Sequence, residues 1–184
     1  MQFRDLKKQY EVLKEEMDAA ISQVLSESGF ISGRQVTELE ETLAGYVGVK
    51  HCITCANGTD ALTLALMALG IKEGDAVFVP DFTFFSSAET VAYEGATPVF
   101  TDILEDTFNM DPDSLERAIQ AVLSEGKHRP RAVVTVDLFG LPADYDRIRA
   151  IADRYGLYIL EDAAQGFGGM YHKKRAGSFG DIST

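Results

Sequence analysis

Asp162 closes the stretch Leu157-Tyr158-Ile159-Leu160-Glu161-Asp162-Ala163-Ala164-Gln165, in which bulky apolar side chains give way to two acids, two small residues and an amide. That is the pattern of a buried parallel strand whose carboxyl end presents Asp162. In open α/β sheets, ligands sit just outside such strand ends. A carboxylate there needs a cation or hydrogen-bond donors, because an isolated buried charge is costly. The basic residues nearest in sequence, Lys173, Lys174 and Arg175, fall in a turn-like segment, so a cationic group on a ligand is the natural partner. The complementary chemistry lies in Ala56-Asn57-Gly58-Thr59-Asp60-Ala61-Leu62, which follows the β-like run His51–Cys55 and opens a helical pattern with Leu62, Leu66 and Leu69 on one face. Strand, glycine-bearing turn and helix N-terminus form an anion site, with free N–H groups and the positive end of the dipole pointing outward. Gly58 lets the backbone approach closely, and the N–H groups of Gly58 and Thr59, with the Thr59 hydroxyl, are the candidate anchors. Taken alone, the same residues also read as an ordinary cap by Asn57 or Thr59.

An anion at one strand end and a cation at another fit one ligand that carries both. Pyridoxal 5'-phosphate (PLP) does, with a phosphate at one end and a protonatable pyridine nitrogen at the other. Asp162 would keep that nitrogen charged, so that the ring accepts electrons from a substrate carbanion. Phe82, Phe84 and Phe85 follow another candidate strand end; a flat ring there can stack on a pyridine face, whereas a lone Phe reads first as core. Asp137, in Asp137-Leu138-Phe139-Gly140, ends a further strand and either shapes a pocket or only stops the strand. His172 reads as a surface turn residue.

The elements that would position these groups follow from hydrophobic periodicity. Leu6, Tyr10, Leu13, Met17, Ile21 and Val24 define an amphipathic helix over 6–27, ended by Gly29. Phe30-Ile31-Ser32-Gly33 is a turn with Ser32 as a candidate N-cap for a second helix, whose inward face is Val36, Leu39, Leu43 and Val47. Strands are then expected at His51–Cys55, Ala76–Pro80, Thr97–Thr101, Arg131–Leu138 and Leu157–Glu161, with helices at Thr59–Leu69, Ser86–Tyr93, Pro112–Glu125 and Ala143–Tyr155. The alternation predicts an α/β fold with a mainly parallel sheet sandwiched by helices. Gly70, Gly95, Gly126 and Gly156 stand at helix ends, Asp111-Pro112 and Pro142-Ala143 at helix starts, and the Gly-rich stretch after Gln165 predicts a hairpin or irregular excursion.

Five pieces of the chain, in order and spacing, resemble the DegT/DnrJ/EryC1/StrS family of PLP-dependent nucleotide-sugar aminotransferases. They are Phe30-Ile31-Ser32-Gly33, Asn57-Gly58-Thr59-Asp60-Ala61-Leu62, Pro80-Asp81-Phe82-Thr83-Phe84, Glu161-Asp162-Ala163-Ala164-Gln165 and Gly180-Asp181-Ile182-Ser183-Thr184. The resemblance implies a fold type I PLP-dependent transferase. Residues 1–184 would supply an N-terminal segment plus most of the large PLP-binding domain, with the rest of that domain and a C-terminal small domain outside the chain. It implies that Gly58 and Thr59 hold the phosphate, Phe84 stacks on the ring, Asp162 pairs with the ring nitrogen and Gln165 bonds the phenolic oxygen. Ser32 and Gly33 would approach the substrate. It places the Schiff-base lysine a few residues beyond Thr184, so that no catalytic residue lies within the chain. The implied reaction moves an amino group, from glutamate as donor, onto a keto sugar linked to a nucleotide diphosphate, and the implied assembly is a homodimer with shared active sites. Cys55-Ala56-Asn57-Gly58-Thr59-Asp60-Ala61-Leu62 and Ala88-Glu89-Thr90-Val91 look closest to members acting on 3-keto rather than 4-keto sugars.

Composition bounds the alternatives. The 184 residues are 46% hydrophobic and 25% charged, ordinary for a globular protein. A net charge of -12 without a Lys/Arg cluster argues against a nucleic-acid partner. No apolar run spans a membrane, and Met1-Gln2-Phe3-Arg4-Asp5 lacks the apolar core of a signal peptide, so a cytoplasmic setting is expected. Cys52 and Cys55 read as reduced, packed thiols in a strand-like run, and with His51, His128 and His172 scattered no metal site is expected. Within the same family, a histidine in place of the lysine would make a sugar dehydratase, and a relative without catalysis would be regulatory. A nicotinamide-dependent oxidoreductase would need a Gly-x-Gly-x-x-Gly turn after a strand, and Gly166-Phe167-Gly168-Gly169-Met170-Tyr171 lacks the third glycine.

Overall fold

From residue 58 onward the strand–helix rhythm folds as its periodicity predicts. The computed structural model describes residues 5–184; Met1 to Arg4, read above with the N-terminus, lie outside them. α1 (Leu6–Glu27) and α2 (Arg34–Val47) precede α3 (Gly58–Ala68), β1 (Asp75–Pro80), α4 (Ser86–Tyr93), β2 (Thr97–Thr101), α5 (Pro112–Glu125), β3 (Arg129–Val136), α6 (Tyr145–Tyr155) and β4 (Tyr158–Asp162). A hairpin, β5 (Met170–Tyr171) and β6 (Lys174–Arg175), and a short strand β7 (Ile182–Ser183) follow. The main sheet is five-stranded in the order β2-β1-β3-β4-β7, and all its pairings are parallel.

Period-two alternation sorts the side chains of the sheet. Val77, Val79, Ala132, Val134 and Leu160 meet Leu62 and Leu66 of α3 and Val91 of α4. Ala76, Phe78, Val133 and Ile159 meet Leu115 and Ile119 of α5 and Ile148 and Ile151 of α6. Burial of each such side chain contributes about 1.5–3 kcal/mol. The two layers put the strand carboxyl ends, with Pro80, Asp137 and Asp162, on one rim of the sheet. Gly70, Gly95, Gly126 and Gly156 all take the left-handed conformation expected at helix ends.

Several expectations are corrected. His51–Cys55 is not a strand. An extended run becomes one only beside a strand that takes its backbone groups, and here the Thr54 N–H is taken by the Glu40 carboxylate at 2.8 Å. The left-handed residue closing α1 is Ser28, one before Gly29. Ser32 does not cap α2: it sits at φ 48°, and the N-cap is Gly33, whose place a β-carbon would spoil by falling 2.5 Å from the Gly29 carbonyl oxygen. The apolar stripe of α1 buries none of its side chains, and of α2 only Ala44 is buried. Arg129–Val136 stops two residues short of the expected Leu138, where a single 3-10 turn, Leu138–Gly140, begins. α6 starts at Tyr145 with Asp144 as its cap, two residues after the expected Pro142-Ala143 start.

Candidate active site

The N-terminus of α3 is built as an open donor site. Asn57 caps it by accepting the Asp60 N–H at 2.9 Å, and its carbonyl takes the Ala61 N–H. Among the described residues, the Gly58 and Thr59 N–H groups have no acceptor, as the first turn of a helix leaves them. The Thr59 hydroxyl lies 2.8 Å from the Ser86 hydroxyl, at the first residue of α4. Its neighbour Ser87 donates to Oδ2 of Asp162 at 3.2 Å. Asp162 follows Leu160 in the alternation of β4 and so faces the α3–α4 layer. Two candidate anchors a hundred residues apart in sequence are therefore joined through one dipeptide.

Asp162 is 7% exposed. Burial raises its pKa, and the Ala164 N–H at 3.3 Å together with the Ser87 hydroxyl offset this only in part. A carboxylate this short of partners suits a cation. Gln165 accepts the Phe139 N–H on Oε1 at 2.8 Å, which leaves its amide N–H groups free to donate. Phe139 is held at φ 56°, a left-handed value rare for an aromatic residue. Phe84 is 68% exposed, which corrects the reading of this Phe as core and leaves a ring face open. Among the described residues, no hydrogen bond joins Ser32 or Gly33 to the other candidates, and Ile31 beside them is 91% exposed.

The opposite face of the same strand ends holds a pair of carboxylates, Glu161 and Asp137. Glu161 is wholly buried and accepts the backbone N–H groups of Gly177, Phe179 and Gly180 and the Ser183 hydroxyl, all within 2.5–3.0 Å. Gly180 is fixed by this grip: a β-carbon there would lie 2.3 Å from the Ile182 carbonyl oxygen. Asp137 accepts the Tyr145 hydroxyl at 2.7 Å and the Ala143 N–H at 3.1 Å on Oδ1, whereas Oδ2 is buried with no donor. Burial, with the Glu161 charge beside it, pushes the Asp137 carboxyl up to about 7. Asp137 thus shapes the turn that carries Phe139. Glu161, Ser86 and Ser87 were not singled out from sequence; the available signal was an acid inside an otherwise apolar run, which must find donors if buried.

Asp137 makes the fold pH-dependent with a defined sign. Its folded pKa lies above its unfolded value, so its contribution is fully present below about pH 4 and is lost as pH rises through about 7. The loss is on the order of 3–4 kcal/mol. Urea unfolding at pH 5 and pH 8 should show about 2–3 kcal/mol of this fall, the part that lies above pH 5. Asp137→Asn, a neutral isostere of the protonated acid, should flatten it; an unchanged slope would mean that another group titrates.

Other features stand apart. Cys52 and Cys55 are free thiols, but Cys55 is exposed rather than packed and Cys52 is half-buried, because their run does not join the sheet; His172 is an exposed turn residue 3.0 Å from Asp146. Among the described residues there is no cluster of His, Cys, Asp or Glu able to hold a metal ion, and no helix long and apolar enough to cross a membrane. An apolar cleft of about 740 Å³, lined by Cys52, Ile53, Leu64, Ala164, Phe167 and Ile182 among others, lies beside α3 and does not include Thr59 or Asp162.

Comparison with known proteins gives this geometry a context. The model of the DegT/DnrJ/EryC1/StrS aminotransferase family matches residues 11–184. A UDP-2-acetamido-2-deoxy-3-oxo-D-glucuronate aminotransferase of Pseudomonas aeruginosa is 49% identical over 176 residues, 96% of this chain and 47% of its own. A crystal structure of a DegT DnrJ EryC1 StrS aminotransferase from Brucella abortus superposes with a TM-score of 0.98 at 51% identity, covering 100% of this chain and 49% of that one. A structure described as a sugar aminotransferase from Streptococcus pneumoniae in its PLP form superposes at 0.79 with 30% identity, covering 90% of this chain and 45% of that one. The chain spans about half the length of the curated relatives it matches.

Proposed function

Since the chain belongs to the DegT/DnrJ/EryC1/StrS aminotransferase family, we propose that the whole protein is a PLP-dependent aminotransferase. It transfers an amino group from an amino acid, glutamate, to a keto sugar carried on a nucleotide diphosphate. The 3-keto position is favoured because the relatives include aminotransferases named for 3-oxo and 3-amino sugars. A homodimer and a cytoplasmic setting belong to the same reading.

What supports the reading most is the pairing of two free helix N-terminal amides with a buried, under-partnered carboxylate, linked through Ser86 and Ser87. The residues fit the cofactor. The Gly58 and Thr59 N–H groups and the Thr59 hydroxyl would hold the phosphate. Asp162 would hold a proton on the ring nitrogen, the Gln165 amide would donate to the phenolic oxygen, and the open face of Phe84 would cover the ring. When bound, PLP supplies an electron sink for the carbon that carries the amino group. The chain's own part is to bind, to orient and to keep that sink protonated.

Borohydride reduction of the full-length protein with PLP, followed by peptide mapping, tests this. A phosphopyridoxyl group on a lysine following Thr184 is expected. PLP that binds without being trapped points to the histidine-bearing dehydratase, and no binding rejects the cofactor assignment.

A further inference from the structure

We propose that the dipeptide Ser86-Ser87 is the spacer of the cofactor cradle, with Ser86 positioning the phosphate anchor Thr59 and Ser87 positioning the ring-nitrogen anchor Asp162. The inference rests on the PLP reading above. Its ground is geometric. Ser86 is 4% exposed and Ser87 is wholly buried, yet neither caps its own helix. α4 begins after Phe85, with no side-chain cap at all. Serines in a first helical turn ordinarily turn back to the free backbone amides there. These two instead send their hydroxyls to other elements, one to α3 and one to β4.

Each serine hydroxyl has a single hydrogen to give, and at Ser87 that fixes the direction of the chain. Ser87 gives its hydrogen to Asp162 Oδ2, so the Thr83 hydroxyl, 3.1 Å from Ser87, is the donor in that contact. The chain runs from Thr83 to Ser87 to Asp162 and ends on the carboxylate, the order that supports its charge. At the other end, Thr59 can donate to an anion only if Ser86 donates to Thr59. Ser86 then runs its hydrogen toward the phosphate through Thr59. Adjacent residues on a helix set the separation of the two anchors, so the cradle is preorganised for one ligand length.

The test measures binding, not turnover. Pyridoxamine 5'-phosphate and pyridoxamine differ only by the phosphate, and both are titrated calorimetrically against full-length wild type, Ser86→Ala and Ser87→Ala. Loss of one such hydrogen bond is worth about five-fold in affinity. Ser86→Ala should weaken pyridoxamine 5'-phosphate about five-fold and leave pyridoxamine unchanged. Ser87→Ala should weaken both ligands alike, and should raise the pH below which binding fades, because Asp162 loses a donor that favours its charged form. Ser86→Cys and Ser87→Cys, near-isosteric with weak donors, give the same two patterns if an alanine variant does not fold. Equal loss of both ligands in both positions, or no loss in either, overturns the spacer role while leaving PLP binding intact. Failure of the wild type to bind either ligand overturns the PLP reading itself.

Discussion

Glu161→Gln is expected to remove about 2–4 kcal/mol of stability, from the loss of charge-assisted hydrogen bonds and the stranding of a buried donor. Set against a typical total of about 5–15 kcal/mol, that brings the fold near its limit. The reason is donor geometry. Oε2 receives the Phe179 and Gly180 N–H groups and the Ser183 hydroxyl, and Oε1 receives the Gly177 N–H. An amide has one acceptor and one donor end. Whichever way it turns, its NH2 meets at least one backbone N–H that cannot rotate away, and a buried donor is left unpaired. The segment that loosens is 177–184, whose strand β7 pairs with β4 over two residues and which is otherwise tied to β4 by the Glu161 carboxylate and by the Asp181 and Thr184 hydrogen bonds to Ile159 and Glu161. Urea unfolding followed by circular dichroism measures the loss, and hydrogen exchange should show the Gly177, Phe179 and Gly180 amides losing protection first. A fall below about 1 kcal/mol, the size of one ordinary hydrogen bond, would mean that the carboxylate does not organise this segment. A secondary effect follows at Asp137, whose pKa should drop once the neighbouring charge is gone.

Glu161 also marks where sequence reading stops. The run Leu157 to Glu161 reads as a buried parallel strand, with Asp162 presented at its carboxyl end as the functional signal. The strand continues through Asp162, so alternation sends the two acids to opposite faces: one toward Ser87, the other into the backbone amides of 177–180. Identical chemistry at neighbouring positions thus takes two roles, and only strand pairing separates them. The helices and strands from 58 to 162 were legible because each buries a face against a sheet made by its neighbours. α1 is equally periodic and spans the predicted 6–27, but periodicity gives the stripe and not what covers it; Met17 and Ile21 stay 42% and 55% exposed. His51–Cys55 carries strand composition without a strand beside it, and β propensity has little force outside that context. Ser86 and Ser87 look like routine helix-start residues until their hydroxyls are seen to leave the helix.

Asp162→Asn should separate cofactor binding from folding. The side chain is nearly isosteric, and Asn can still accept from Ser87 or Ala164. Because burial raises the Asp162 pKa, removing the charge relieves a desolvation cost, and stability should hold or rise slightly. Cofactor affinity should move the other way. A hydrogen bond to a charged partner is worth about 1.5–3 kcal/mol, so PLP should bind about 10- to 100-fold more weakly. Turnover should fall further than binding, by about 100-fold or more, since the negative charge matters most when the ring takes up electrons, an interaction stronger in the transition state than in the ground state. The pH dependence supplies the control. In the wild type, PLP affinity should fade as pH drops through the raised pKa of Asp162, and in Asp162→Asn that dependence should vanish. Thermal unfolding with fluorescence titration of PLP across pH 5–8 reads both effects. An Asn variant that binds PLP as tightly as wild type at every pH would show that Asp162 serves the strand end and not the ring nitrogen.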